Sequence, residues 1–318
     1  MRIFVSGSLA YDRIMDFPGR FADHILPEKI HILNVCFMVN GLTERFGGTA
    51  GNIAYNLALL GEQPMILATA GGRDFAPYRE WLEQLRLPLA GIKEIPQEFT
   101  AGAYITTDLS DNQITGFNPG AMKYTSDYPF DGLDPRDSMA IVAPGGLQDM
   151  LAYSRLYQER GVAYIFDPGQ SIPAWSGEEL REMTAGALAL IVNDYELELF
   201  RQKTGLDEVA LLGLTPHLIT TRGEQGSELR TSHRLETIPA IPPRQVLDPT
   251  GAGDAYRAGL LKGLAQGVAW PEAARLGAVL ASFSVEQQGT HEHRLEVSEF
   301  WARYREHFGT PPGPALAG

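Results

Sequence analysis

The most informative stretch of this sequence is Leu247-Asp-Pro-Thr-Gly-Ala-Gly-Asp-Ala-Tyr-Arg-Ala-Gly259. Pro249 and the glycines end an extended segment, and the spacing of the leucines beyond them predicts a helix over residues 253–266. The Gly-Ala-Gly turn therefore lies at a helix N-terminus, where unpaired N–H groups converge and the helix dipole adds roughly half a positive charge. The run predicts an anion site beside Asp254, and the same dipole is expected to keep the pKa of Asp254 low.

Two interpretations of this turn compete. In the catalytic one, Asp254 accepts a hydrogen bond from an attacking hydroxyl, an effect on the order of 10²–10⁴ in rate, while the turn stabilises charge on a transferred phosphoryl group. In the structural one, Asp254 only satisfies N–H donors of the first helical turn and the glycines only make the turn tight. A lone Gly-x-Gly-Asp favours the structural interpretation, whereas the longer Asp-Pro-Thr-Gly-Ala-Gly-Asp run favours the catalytic one.

The rest of the chain alternates apolar strands with helical patterns. The predicted strands are Ile3–Ser6, Met65–Thr69, Ala140–Ala143, Ala163–Phe166, Leu188–Val192 and His217–Thr221. The predicted helices cover residues 51–60, 147–160, 194–203, 253–266 and 271–286. Apolar strands separated by helices predict a mostly parallel sheet covered by helices on both faces. In such sheets the ligand lies beyond the carboxyl ends of the strands.

Two segments interrupt this alternation. Residues 100–118 have the pattern of a hairpin that turns at Ser110–Asn112, and residues 12–46 have an extended pattern, with Ile30–Val39 strongly apolar. Together they predict a small β-layer outside the main sheet, built from about residues 12–46 and 98–122. That layer is either a lid over the ligand, an extension of the sheet edge or a homodimer surface, and the sequence leaves the three open.

Composition narrows the classes of partner. The 318 residues carry a formal net charge of −13, which argues against nucleic acid and anionic membrane surfaces as partners. Cys36 is the single cysteine, so an intramolecular disulfide is excluded, and no run of about 18 apolar residues predicts a membrane span. A soluble cytoplasmic protein is expected. Residues 310–318 are rich in Pro and Gly and are predicted to be disordered.

The Asp248–Asp254 run resembles the C-terminal motif of the ribokinase (PfkB) family of carbohydrate and nucleoside kinases. Phe46-Gly-Gly-Thr-Ala-Gly-Asn52 resembles the N-terminal Gly-Gly motif of that family, and the α/β pattern is similar to about residue 300. The resemblance implies one ribokinase-like kinase domain over residues 1–309, with a mostly parallel central sheet flanked by helices and a small β-sheet lid.

The resemblance also implies roles for individual residues. Asp254 would be the catalytic base, Gly251, Ala252 and Gly253 the anion hole, and Gly47, Gly48, Asn52 and Asp12 the residues that contact substrate hydroxyls. The residue types suit these roles, because a carboxylate accepts two neighbouring O–H groups and an amide both donates and accepts. Taken one at a time, Asn52 fits an early helix residue, the glycine pair a turn and Asp12 a loop cap; their joint placement favours the functional roles.

For ATP, the resemblance points to Asn193-Asp-Tyr-Glu196 and Thr221-Arg-Gly-Glu-Gln-Gly226. Glu196 would organise Mg²⁺, in part through water, or would be only a solvated carboxylate of a first helical turn. Asn193, Thr221, Gly223 and Gly226 would shape the nucleotide cleft, although the last three fit an ordinary turn as well. Asp248 matches a family position near a monovalent cation such as K⁺, or is a turn-forming residue before proline.

The remaining sequence features give less information about function. Arg257 lies one turn beyond Asp254 and is expected to reach a phosphate, Asp254 or another acid on the helix face. His291 and His293 flank Glu292 without a wider ligand set, so a surface loop is predicted there rather than a metal site. No Gly-x₄-Gly-Lys-Ser/Thr motif occurs and no Gly-x-Gly-x-x-Gly follows the first strand, which disfavours P-loop enzymes and dinucleotide dehydrogenases.

Within the family, the motif wording is most similar to bacterial nucleoside kinases of the adenosine kinase type. This similarity implies transfer of the ATP γ-phosphoryl group to the 5′-hydroxyl of a nucleoside, with adenosine expected first and Phe117 expected to contact the base. A ribose or fructose kinase is the nearest alternative. A catalytically silent nucleoside-binding protein is the alternative from another class, and Asp254 argues against it because a binder needs no base.

Overall fold

The computed structural model describes residues 1–312 and contains a nine-stranded sheet in the order β13-β12-β11-β10-β9-β8-β1-β4-β5 and a four-stranded sheet in the order β3-β2-β6-β7. The strands are β1 (Arg2–Ser6), β2 (Ala10–Asp16), β3 (Leu42–Gly47), β4 (Met65–Gly71), β5 (Ile92–Ile95), β6 (Ala101–Thr107), β7 (Gln113–Asn118), β8 (Ser138–Val142), β9 (Ala163–Phe166), β10 (Ala189–Asn193), β11 (Leu218–Thr221), β12 (Ser227–Arg230) and β13 (Leu235–Ile238).

The large sheet is mostly parallel. Every neighbouring pair from β11 through β8, β1 and β4 to β5 runs parallel, and only β12 and β13 add antiparallel strands at one edge. The sequence prediction of a mostly parallel sheet is confirmed. In this sheet β1 lies between β4 and β8. Strands are added first beyond β4 and later beyond β8, so the direction of strand addition reverses at β1. Crevices for ligands form beyond the carboxyl ends of the strands at such reversals.

The described residues form ten α-helices, and those from α2 onward cover both faces of the large sheet. They are α1 (Phe21–His24), α2 (Thr49–Leu59), α3 (Ala76–Gln84), α4 (Leu147–Arg160), α5 (Gly177–Thr184), α6 (Asp194–Thr204), α7 (Glu208–Leu211), α8 (Ala252–Ala265), α9 (Trp270–Ser284) and α10 (Val297–Phe308). One core contains Ile3 and Val5 of β1 with residues of α2, α3, α8, α9 and α10, and the other contains Phe4 with residues of α4, α5 and α6. Alternate residues of a strand point to opposite faces, so two apolar layers form.

Arg13 is one of the residues that join the small sheet to the large domain. Arg13, in the middle of β2, donates from Nη2 to Asp74 Oδ2 at 2.9 Å and from Nε to Glu44 Oε2 at 2.7 Å. Asp74 lies just before α3 and also accepts the N–H of Thr100 at 2.7 Å, next to the start of β6. Both inner strands are therefore fixed at their bases, which places the first residues of β2 close to the large sheet.

The predicted hairpin is confirmed, and the prediction for residues 30–39 is wrong. β6 and β7 pair antiparallel around a turn at residues 108–112. Between β2 and β3, however, the chain forms α1 and a 3-10 helix over Pro27–Ile32, and residues 33–39 are in no strand. Their apolar side chains are largely exposed, so apolarity there does not reflect a buried strand.

Of the predicted disordered tail, residues 313–318 lie outside the described residues. Within residues 1–312, the model contains no helix with the length and apolarity needed to span a membrane.

Candidate active site

The start of α8 presents free backbone N–H groups. Gly251 is the N-cap residue with φ +81°, a conformation that L side chains rarely adopt, and a Cβ there would lie 2.8 Å from Thr290 Cγ2. The N–H of Ala252 donates to Pro249 O at 3.3 Å, whereas within residues 1–312 the N–H groups of Gly253 and Asp254 donate to no protein acceptor. In this conformation Gly253 and Asp254, rather than Ala252, present the free N–H groups at the turn where the anion hole is predicted.

The Asp254 side chain extends from this turn toward the start of α2. Its Oδ2 accepts a hydrogen bond of 2.7 Å from Asn52 Nδ2, which lies in the first turn of α2. Burial raises the pKa of Asp254 to about 7, because it outweighs the charge of Arg257 and the hydrogen bond from Asn52, and because Asp167 and Glu196 add negative charge. The expectation of a low pKa is wrong: the helix dipole acts on Asp254, but the loss of water around the carboxylate is the larger effect.

Arg257 pairs with an acid that the sequence did not predict. Its guanidinium makes two hydrogen bonds to Asp167, one from Nη2 to Oδ1 at 2.8 Å and one from Nε to Oδ2, and Nη1 donates to Gly253 O at 3.0 Å. Burial alone lowers the pKa of Arg257, but the charge and hydrogen bonds of Asp167 raise it overall. The pair therefore fixes the guanidinium beside Gly253.

The carboxyl end of β10 supplies the next part of the site. Asn193 caps α6: its Oδ1 accepts the N–H of Glu196 at 2.7 Å, and Glu196 Oε2 accepts the N–H of Asn193 at 2.8 Å. Burial raises the pKa of Glu196 although the Asn193 bond opposes it. Thr221 lies beside Asn193 at the end of the neighbouring strand β11. The capping role of Glu196 is therefore confirmed, and since the residue also lines the cleft, its role toward Mg²⁺ stays a prediction.

These elements enclose one open cleft of about 280 Å³. Its lining residues are Thr49, Pro144, Asp167, Gly169, Gln170, Asn193, Glu196, Thr221, Gly251, Gly253, Asp254 and Arg257. The cleft brings together the predicted base, two of the three predicted anion-hole residues and three residues predicted for ATP. They come from the carboxyl ends of β9, β10 and β11 and from the start of α8, as expected for a parallel sheet.

Of the residues predicted for the nucleotide and the ions, three lie outside the lining of this cleft. Gly223 and Gly226 form the turn between β11 and β12, both with positive φ. Asp248 folds back on the chain: its Oδ1 accepts the N–H of Thr250 and its Oδ2 accepts that of Gly289, both at 2.9 Å. Burial raises the pKa of Asp248, but these backbone donors lower it overall, so the carboxylate is kept charged.

The substrate-hydroxyl residues predicted from the N-terminal motif lie in β2, at the end of β3 and at the start of α2, and among them Asn52 bonds to Asp254. Gly48 has φ +88°, and a Cβ there would lie 2.6 Å from Ser8 O. A Cβ on Gly47 would lie 2.9 Å from Asp12 Oδ2, so the glycine leaves room beside that carboxylate. Burial raises the pKa of Asp12 while Arg45 lowers it. Within the described residues the Asp12 carboxylate accepts no hydrogen bond, and both of its oxygens are available to a ligand.

Phe117 is less closely placed. It lies in β7, the edge strand of the small sheet, opposite Ala103, and its side chain is 54% exposed. Phe117 is not among the residues that line the cleft in this conformation. Its contact with a base therefore remains a prediction that requires the small sheet to approach the cleft.

The prediction that His291 and His293 lie on a surface loop is wrong. Both are buried, at 4% and 1% exposure, and both face α2. His291 Nε2 lies 3.1 Å from Asn52 Oδ1, and His293 Nε2 lies 2.9 Å from Asn56 Oδ1. Their polar neighbours in the sequence suggested exposure, but the partners come from about 240 residues earlier in the chain.

Sequence reasoning also missed Asp167. It follows β9 directly in Asp167-Pro168-Gly169, and a polar residue at the carboxyl end of a predicted parallel strand is a signal that could have found it. Within residues 1–312 no group of three or more His, Cys, Asp or Glu side chains forms a metal site. A divalent cation here would therefore need ligands from a bound molecule or water in addition to Glu196.

Comparisons with known proteins agree with this geometry. The model of the pfkB family carbohydrate kinases matches residues 21–296. A nucleoside kinase from Methanocaldococcus jannaschii is 31% identical over 268 residues, which cover 82% of this chain and 86% of that protein. The nucleoside kinase of Burkholderia thailandensis in complex with inosine is 39% identical, with a TM-score of 0.85 over 98% of this chain and 99% of that one.

The same Burkholderia protein, in a structure in complex with ADP-inosine, gives a TM-score of 0.83 and 40% identity over 98% of this chain and 97% of that one. The fold is therefore ribokinase-like, as the sequence predicted. The matched family, the shared fold and the residues gathered at the cleft lead to one conclusion: this chain belongs to the pfkB family of carbohydrate kinases and is a phosphotransferase with an alcohol group as acceptor.

Proposed function

We propose that the protein is an ATP-dependent nucleoside kinase that transfers the γ-phosphoryl group to the 5′-hydroxyl of a nucleoside. The observation that carries this proposal is the position of Asp254. Asp254 lines the cleft, and its own N–H group and that of Gly253 are free. Its carboxylate accepts a hydrogen bond from Asn52. A base and an anion site that share one edge suit an acceptor alcohol that meets a donor phosphate.

The proposed step is a single displacement. The 5′-oxygen attacks the γ-phosphorus while its proton passes to Asp254, and the bond between that phosphorus and the β–γ bridging oxygen breaks. The products are ADP and a nucleoside 5′-monophosphate, and Asp254 later releases the proton to solvent. The N–H groups at the start of α8 stabilise the negative charge that spreads over the equatorial oxygens of the transferred group.

A carboxylate with a pKa raised to about 7 suits this role. Near neutral pH it is ionised in about half of the molecules or more, and it is a stronger proton acceptor than an ordinary aspartate. The Arg257–Asp167 pair holds the backbone of Gly253 from behind, so the anion site is fixed before the phosphate arrives.

We propose Mg²⁺ and K⁺ as the ions of the reaction. Glu196 fits the first: Oε2 caps α6, and Oε1 accepts no hydrogen bond within the described residues. A hard cation held there through water would neutralise charge on the phosphates. Asp248 fits a monovalent cation less directly, because both of its oxygens already accept backbone N–H groups.

The acceptor is proposed to be a purine nucleoside, with adenosine first. The Asp12 carboxylate, without a hydrogen bond from the described residues, suits the two neighbouring hydroxyls of a ribose. Inosine is the second candidate, because the Burkholderia relative was solved in complex with inosine.

A panel of acceptors tests the proposal. Adenosine, inosine, guanosine, cytidine, ribose and fructose are incubated with ATP and Mg²⁺, with and without K⁺, and ADP formation is measured. We expect the nucleosides to exceed both sugars in kcat/KM and adenosine to lead. Asp254→Asn is the matched control and is expected to lower kcat on the order of 10³-fold, since it removes the base but keeps the shape.

Three outcomes contradict parts of the proposal. Fructose or ribose above every nucleoside would identify a sugar kinase. Inosine above adenosine would correct the base but leave the reaction in place. Turnover of the wild type no higher than that of Asp254→Asn would indicate a silent nucleoside-binding protein on this scaffold.

A further inference from the structure

A chain of hydrogen bonds runs from the interior of the protein to Asp254. Trp81 Nε1 donates to His291 Nδ1 at 3.0 Å. His291 Nε2 lies 3.1 Å from Asn52 Oδ1, and Asn52 Nδ2 donates to Asp254 Oδ2 at 2.7 Å. The four residues come from α3, the segment before α10, α2 and α8, so elements distant in sequence meet at the carboxylate.

The indole N–H of Trp81 determines which atom donates and which accepts in every hydrogen bond of this series. An indole N–H can only donate, so His291 Nδ1 must accept and the ring proton must lie on Nε2. His291 Nε2 then donates to Asn52, which makes the oxygen of that amide the atom facing the ring. The Asn52 amide consequently presents its NH₂ group to Asp254 and not its oxygen.

The imidazole is held neutral and in a fixed plane. Its ring stacks on Tyr55, with ring centroids 4.7 Å apart and planes 10° apart, and it contacts Tyr78 edge-on. Burial lowers the pKa of His291 to about 3, and His293 adds to this effect. A protonated ring would also place an N–H against the indole N–H of Trp81, so the neutral tautomer is the only one that fits.

We propose that His291 is a positioning residue for phosphoryl transfer: it fixes the Asn52 amide so that its NH₂ group holds the Asp254 carboxylate toward the acceptor hydroxyl. The inference rests on the proposed role of Asp254 as the base. Within residues 1–312, His291 makes no hydrogen bond to a residue that lines the cleft, and its link to Asp254 runs through Asn52. It therefore acts on the reaction only by orienting that side chain.

A second pair in the same segment provides a matched control. His293 Nε2 lies 2.9 Å from Asn56 Oδ1, and Asn56 Nδ2 donates to Asn52 O at 2.9 Å. This pair joins the same loop to the same helix one turn further along, and His293 is buried to a similar degree. Asn56, however, makes no hydrogen bond to Asp254, so the His293 pair supports the packing of α2 without contact with the base.

The test compares four variants of the full chain: His291→Leu, His291→Gln, His293→Leu and His293→Gln. For each we measure kcat, KM for adenosine, the pH profile of kcat/KM and the thermal unfolding midpoint. Gln at position 291 can donate from its amide NH₂ to Asn52 and accept from Trp81 with its oxygen, which is the same polarity as the neutral ring. Leu keeps apolar volume and removes both bonds.

We expect His291→Leu to lower kcat on the order of 10-fold, because small displacements of a catalytic group lower the rate steeply. We also expect its pH profile to move to higher pH, since the Asn52 hydrogen bond lowers the pKa of Asp254 and is weakened in this variant. The charged neighbours of Asp254 are Arg257, Asp167 and Glu196, and none of them changes. His291→Gln should recover most of kcat and the original profile.

His293→Leu and His293→Gln should lower the unfolding midpoint without moving the pH profile. Equal losses of kcat in the Leu variants at 291 and 293, or a wild-type profile in His291→Leu, would overturn the inference. If His291→Leu does not fold, Trp81→Phe carries the same test, because it frees the tautomer and should shift the profile in the same direction by less.

Asp254→Asn separates this inference from the function on which it rests. If Asp254→Asn retains wild-type activity, the proposed base is wrong. If Asp254→Asn is inactive while His291→Leu is as active as wild type, only the role of His291 fails.

Discussion

The two sides of the substrate site differ in how far the protein itself satisfies their polar groups. On the side of α8, Asp254 accepts a hydrogen bond from Asn52, and Arg257 is bound by both oxygens of Asp167. On the side of the small sheet, Asp12 accepts no hydrogen bond within the described residues, and every residue of β7 is exposed, including Phe117 at 54%.

This contrast predicts that the two sides affect different kinetic parameters. Groups that are already held by the protein do not have to be ordered during the reaction, so they stabilise the transition state directly. Groups without protein partners gain theirs only when substrate binds. Changes on the α8 side should therefore appear in kcat or in folding, and changes on the small-sheet side should appear mainly in KM.

The largest effect is expected from breaking the buried ion pair. Arg257→Met leaves the Asp167 carboxylate buried, at 1% exposure, without its partner. Removing one member of a buried pair costs about 3–5 kcal/mol. The free energy of unfolding, measured by urea denaturation at pH 8, should fall by that amount.

The double variant Asp167→Asn with Arg257→Met is the control for that prediction. It removes both charges, so it should recover a large part of the lost stability. A double variant no more stable than Arg257→Met would show that the guanidinium acts through its bond to Gly253 O and not through the charge of Asp167.

The next effect tests the small-sheet side. Asp12→Asn should raise KM for adenosine by about 10- to 100-fold, the equivalent of one or two hydrogen bonds to a charged group, and should change kcat by less than about 3-fold. With 2′-deoxyadenosine as acceptor the effect of Asp12→Asn should shrink, because one of the two hydroxyls is already missing. An equal effect on both acceptors would show that Asp12 does not bind the ribose diol.

The third effect is the pH dependence of the wild type. Asp254 must be ionised to act as base, so kcat/KM should rise about tenfold per pH unit below a pKa of about 7 and level off above it. Glu196→Gln should move this rise in kcat/KM to lower pH, because the charge of Glu196 raises the pKa of Asp254. A rise near pH 4 in the wild type would mean that the carboxylate is solvated during turnover.

The contribution of Asp254 to the free energy of unfolding should fall as pH rises, whereas kcat/KM should rise. The pKa of Asp254 is raised from 3.8 to about 7 in the folded state, so between these values the folded protein binds a proton that the unfolded chain has lost. The contribution of this group to the free energy of unfolding therefore falls as pH rises through that window. Asp254→Asn should lack this slope, and a wild-type slope in the variant would assign it to another group.

The elements of the large sheet could be predicted because their signals are local. The helix over Leu147–Arg160 ends at Gly161 with φ +66°, the expected C-terminal stop, and the strand over Ala163–Phe166 ends before the polar Asp167. The turn before Asp254 has a specific motif for the same reason: only glycine adopts the conformation of Gly251 without strain. Local periodicity and motif thus locate Asp254 and the strand ends.

What could not be predicted depends on contacts between distant segments. The pKa of Asp254 is set by burial, which no local motif contains, and a helix dipole alone suggested the opposite shift. His291 appears solvated in its sequence context but bonds to Asn52 and Trp81 more than 200 residues away. Residues 33–39 are apolar yet exposed, because apolarity predicts a strand only where another layer covers it.

The smallest effect expected is at Phe117. If the small sheet approaches the cleft when substrate binds, the exposed ring should pack against the purine, and Phe117→Ala should raise KM for adenosine by about 3- to 10-fold through the loss of an aromatic contact. The matched control is Tyr104→Ala, on the neighbouring strand β6 with its side chain 38% exposed, where the hydroxyl oxygen accepts a hydrogen bond from Arg13 Nη1. Because ribose has no base, Phe117→Ala should leave KM for ribose unchanged. An equal loss for ribose and adenosine would mean that Phe117 stabilises the sheet rather than contacts the base.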